Sequence, residues 1–102
     1  MTRDSWAYRE VAVESVFDRA SGRLRLQPMA GQAFAPSLPV HAARVLTDPA
    51  RYRAGSRFLL NAKLSDRLGG PQFLYSYHGD PVTLLSAAAA RRFLLAFKRG
   101  RI

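Results

Sequence analysis

The chain has 102 residues, 48% hydrophobic and 11% aromatic, with sixteen Lys and Arg against seven Asp and Glu and a formal net charge of +9. That length holds a single domain over residues 1–102, since domains typically run about 100 to 150 residues, and the apolar fraction excludes a chain too polar to bury a core. Zero cysteine excludes a disulfide scaffold, a Cys-based zinc or iron–sulfur site and thiol catalysis, and six Pro with seven Gly fall short of a low-complexity composition.

Residues 1–10 lack the apolar run and small-residue site of a secretory signal, so the expected location is cytoplasmic. Residues 9–17 then alternate, with Val11, Val13 and Phe17 on one side and Glu10, Ala12, Glu14 and Val16 on the other, which predicts a half-buried strand. Residues 18–22 read as a hairpin loop. Residues 23–28 form a second strand with Leu24 and Leu26 inward, ending where Pro28 removes a ladder donor. Glu10 and Glu14 can face Arg23 and Arg25 across this hairpin, although two solvated charged faces explain the pattern better.

Residues 29–39 lack periodicity and read as a long connection in which Phe34 is the expected anchor into the core. Residues 40–46 lean towards strand on Val40 and Val45. Thr47, Asp48 and Pro49 open a short helical turn over residues 49–52 that must end before Gly55.

The strongest strand covers residues 56–65, with Phe58, Leu60, Ala62 and Leu64 on one face and Arg57, Leu59, Asn61 and Lys63 on the other. After a turn over 66–70, residues 72–77 make a further strand carrying Phe73, Tyr75 and Tyr77 on one side and Leu74 and Ser76 on the other. These aromatics are expected in the core or at its rim, beside Phe58 and Leu60; only on an exposed face would they serve as stacking platforms for bases. Leu59 and Leu74 would then form a second apolar face in need of a cover.

The expected cover is one helix over residues 82–98, capped by Asp80 with Pro81 at its first position. Its stripe of Val82, Leu85, Ala89, Phe93, Ala96 and Phe97 docks on the sheet. A second strip, Leu84, Ala88 and Leu95, lies nearly opposite and is the candidate homodimer interface. The run over 82–97 is too short to span a membrane and is interrupted by Arg91 and Arg92. The order of elements gives an α+β fold, mainly antiparallel β, arranged as a small sheet or an SH3/OB-like barrel of about five strands with one C-terminal helix.

The inventory for chemistry is thin. His41 and His78 fit no metal-ligand spacing, and no phosphate-cradling or nucleophile-elbow glycine pattern occurs, so no enzyme, cofactor or metal is expected. His78 and Asp80 suit a base and its orienting partner less well than they suit a turn residue and a helix cap. Cations gather at Arg19, Arg23 and Arg25, at Arg51, Arg53 and Arg57, and at the C-terminus. Most are Arg, which suits bidentate phosphate contacts, although genomic base composition accounts for the bias more simply. Charge alone therefore predicts a non-enzymatic binding module that contacts nucleic-acid backbone through Arg51, Arg53, Arg57, Arg91, Arg92, Lys98, Arg99 and Arg101. The rivals are a homodimeric structural or interaction protein built on Leu84, Ala88 and Leu95, peripheral contact of the basic helix with an anionic membrane surface, and a small-ligand pocket near Phe34 and Tyr77.

Overall fold

A computed structural model describes residues 8–66 and 68–98. The two longest alternating stretches become the two longest strands, β1 (Arg9–Asp18) and β4 (Arg57–Ser65). They pair antiparallel from Arg9 opposite Ala62 to Glu14 opposite Arg57, which sets Val11 and Val13 beside Leu60 and Phe58 on one face. A hairpin turn with Gly22 in the left-handed region, at φ 71, returns the chain into β2 (Arg23–Pro28) on the far edge of β1. The other edge of β4 takes two short strands, β5 (Phe73–Tyr75) beside residues 63–65 and β6 (Thr83–Leu85) beside residues 57–59. The two-residue β3 (Val40–His41) adds parallel to β5. One helix, α1 (Ala87–Lys98), ends the described chain.

The result is an α+β fold: a six-stranded, mostly antiparallel sheet in the order β2-β1-β4-β5-β3, with β6 also on β4. The sheet is open. Strands β2 and β3 remain its edges, so it is not closed into an SH3/OB-like barrel. The core is Val11, Val13, Leu26, Leu46, Phe58, Leu60, Ala62 and Leu74, and Phe34, Leu38, Val40 and Tyr52 pack against it. Phe34 is thus the expected anchor. Phe17, expected inward, is 56% exposed, although its cross-strand partner Leu24 is buried.

Four further expectations are corrected by long-range contacts. The helix begins at Ala87, not at Val82, and its cap is Ser86, whose Oγ accepts from the Ala89 N–H at 3.0 Å, while the Asp80 N–H donates to the Tyr77 carbonyl within a turn. Residues 83–85 pair with β4 instead, because the 57–59 stretch otherwise has an unpaired edge and tertiary pairing outweighs a weak local helix preference. On β5, Leu74 is fully buried opposite Leu64, whereas Tyr75 lies opposite Lys63, so the aromatics occupy the face away from the core. The length of the connection from β4 sets this register, and a shift of one residue exchanges the two faces. Residues 44–47 form a 3₁₀ turn, held by the Arg23 guanidinium donating to the Arg44 carbonyl and the Thr47 hydroxyl. Finally, the partners across the hairpin are Asp18 with Arg23 and Val16 with Arg25, while Glu14 accepts from the Gln27 amide at 3.1 Å.

Two side chains tie loops to β1. The buried Ser15 hydroxyl donates to the Arg53 carbonyl and accepts from the Ser56 N–H, both at 3.1 Å, which fixes the approach of the chain to Arg57. Gln32 takes over where β2 ends: its Oε1 accepts from the Ala12 N–H, and its Nε2 donates to the carbonyls of Ala12 and Met29. The Met29 N–H also donates to the Ala12 carbonyl at 2.9 Å, so the Gln32 side chain completes the pairing of Ala12 beside one last backbone bond and anchors the long connection after β2.

Candidate functional site

Helix α1 packs against β1 and β6 with its own Ala90 buried, and a side chain placed at Gly31 would come into contact with Leu94. This placement leaves an open groove of about 410 Å³ between the helix, the start of β4 and the loop after β2. Its lining combines the cations Arg57, Arg91 and Lys98 with an apolar floor that includes Met29, Leu94 and Leu95. Among the described residues none of those lining it is acidic. Arg91 and Lys98 meet in the groove because they stand about two helical turns apart on one side of α1. Arg57 reaches it from a half-buried position at the start of β4. Its cross-strand neighbour is Glu14, whose carboxylate is held by Gln27 and does not line the groove.

A second open depression, lined by Ala87, Ala88, Arg91 and Arg92, lies next to the groove on the helix. Arg91 lines both. Arg51 and Arg53 are exposed on the turn that leads into β4 and line neither depression; there the Asp48 carboxylate accepts from the Ala50 N–H. Arg99 and Arg101 lie outside the described residues. The groove thus unites Arg57, Arg91 and Lys98, which come from separate basic clusters of the sequence.

Chemically, two planar guanidinium forks and one ammonium above an aliphatic floor suit a phosphodiester or another oxyanion attached to a partly apolar body. Met29, Gly31 and Leu94 escaped the sequence reading as site residues. They meet Arg57 only through the docking of α1, and no local pattern signals that contact.

The other candidates separate. Leu84 lies on β6, so the strip of Leu84, Ala88 and Leu95 is divided between a strand and the helix, although all three side chains are exposed. Phe34 lines a pocket of about 280 Å³ with Arg9, Glu10, Gln32, Ala33 and Phe97, and Tyr77 is not part of it. His41 stacks on Phe73 with ring centroids 4.5 Å apart, while His78 packs on Tyr77 at 4.7 Å. Among the described residues no helix is long and apolar enough to cross a membrane. No family model matches the chain, and neither the curated proteins nor the solved structures compared with it give a match.

Proposed function

We propose that this protein is a non-enzymatic, cytoplasmic binding module that holds nucleic-acid backbone in the groove of Arg57, Arg91 and Lys98. Arg92 on the adjoining helix surface, with Arg51 and Arg53 on the exposed turn before β4, adds to the attractive field. The convergence of three cations from two elements on a groove with no acidic lining among the described residues carries this reading. A net charge of +9 supports it by favouring encounter with any polyanion.

The test is fluorescence anisotropy of labelled oligonucleotides against salt, comparing the native chain with a triple Arg57→Ala, Arg91→Ala, Lys98→Ala variant. Micromolar binding at low salt is expected, and the log–log salt slope should flatten by about 2 to 3 in the variant, close to one counterion per lost phosphate contact. An unchanged slope removes the groove from the interface.

A homodimer is the second reading, because Leu84 is 62% and Leu95 45% exposed. On this reading the native chain has the light-scattering mass of a dimer and Leu95→Glu that of a monomer. Equal masses for the two proteins dispose of that interface.

A further inference from the structure

We infer that the nucleic acid taken by this protein is single-stranded, its backbone lying in the Arg57 groove and its bases stacking on Tyr75 and His41 at the far end of β4. The inference rests on the groove reading above and adds the class of nucleic acid.

Strand β4 carries both ends of this path on one face. Arg57 lines the groove, and Lys63 follows on the same side of the strand, about 20 Å away at roughly 3.3 Å per residue. At Lys63 the sheet presents a transverse row, with Tyr75 opposite Lys63 and His41 opposite Tyr75. Leu74 is buried in the core and Val40 packs against it, so the alternation of the strands turns this row to the other face. Tyr75 and Lys63 are half-buried and His41 is exposed.

The row is built for flat, electron-rich partners. His41 lies against Phe73 at 4.5 Å, tilted by 30°, and Lys63 Nζ stands 5.6 Å from the centre of the Tyr8 ring. Beside His41 and Phe73 the surface is concave, a cleft of about 250 Å³ lined also by Pro39, Gly70, Pro71 and Gln72. This cleft lies beside the exposed His41 and does not include Tyr75, which stands next to it across β3 and β5. A duplex keeps its bases stacked inside and offers only phosphate to this surface, which makes no use of the aromatic row. A single strand offers phosphate to the groove and base faces to the row, and any base stacks because every base has a π-face. Lys63 in the row and the cationic groove at the other end of β4 favour a polyanion over a neutral aromatic ligand, against the single charge of Glu10, which lies opposite Asn61 between them.

The experiment compares single-stranded DNA and RNA oligonucleotides of about 12 nucleotides with a duplex of the same sequence, a length within the range that small single-strand sites cover. The proteins are the native chain, Tyr75→Leu and His41→Ala, each checked by circular dichroism and thermal melting. Single-strand affinity should fall by about 5- to 150-fold in Tyr75→Leu, with an unchanged salt slope and unchanged duplex affinity. His41→Ala sits at an exposed position and repeats the test without disturbing the packing around Tyr75. Binding of single strands that neither substitution weakens overturns the inference and leaves the groove reading standing. Equal losses on single strand and duplex overturn it as well. Absence of binding to any of the nucleic acids by the native chain removes the groove reading, and this inference with it.

Discussion

Phe58→Ala is expected to lower the unfolding free energy by about 3 to 5 kcal/mol, the usual cost of removing a buried aromatic ring whose surroundings cannot collapse into the space. Phe58 is 1% exposed and sits opposite Val13 on β1 and Leu84 on β6, with its ring edge-on to Tyr52 at a centroid distance of 5.0 Å. The surrounding backbone is ladder-paired on both edges of β4, which limits relaxation. Against a total stability of roughly 5 to 15 kcal/mol for a small domain, such a loss brings the chain close to unfolding at physiological temperature. Urea or guanidinium titration should show a lower midpoint at constant slope. A loss under 1 kcal/mol would mean that Phe58 is not at the centre of the core.

The second large effect is expected at Gln32→Leu, with a loss of about 1 to 3 kcal/mol although no apolar contact is removed. The Gln32 carboxamide accepts from the Ala12 N–H at 3.1 Å and donates to the Ala12 and Met29 carbonyls at 2.6 and 3.0 Å. Ala12 is fully buried, so a leucine leaves its N–H without a partner and without water. Amide exchange distinguishes this cause from simple misfit. Protection should drop at Ala12 and through the loop over residues 29–34, while the β1–β4 ladder keeps its protection. Because Met29 and Gly31 border the groove, the same substitution should also weaken nucleic-acid binding without changing any charge.

The anchoring role of Gln32 has no mark in the sequence. It depends on the chain turning away after Met29, whose N–H still donates to the Ala12 carbonyl at 2.9 Å while the Ala12 N–H is met by the Gln32 side chain. Tyr75 makes the same point from another side. Alternation shows that Phe73 and Tyr75 share a face, but not which face, because the register of β5 on β4 is set by the connection between them. Residues 83–85 are a third case: their local composition favours helix, and the open edge of β4 turns them into strand. Each outcome is a competition between a local preference of tenths of a kcal/mol and a long-range contact worth more.

The sequence by itself determined the features that repeat over a few residues. It set the alternation that makes β1, β2 and β4, the turn at Gly22, the anchoring of Phe34, a single helix at the C-terminal end and a strong surplus of positive charge. These follow from side-chain period and backbone preference, which act between near neighbours. The tertiary structure alone decided that Arg57 meets Arg91 and Lys98 across a groove, that the aromatics of β5 turn away from the core beside Lys63 and His41, and that the sheet stays open. Those results join residues distant in the chain, and the docking of α1 on β1 and β6 with the register of β5 on β4 settles them.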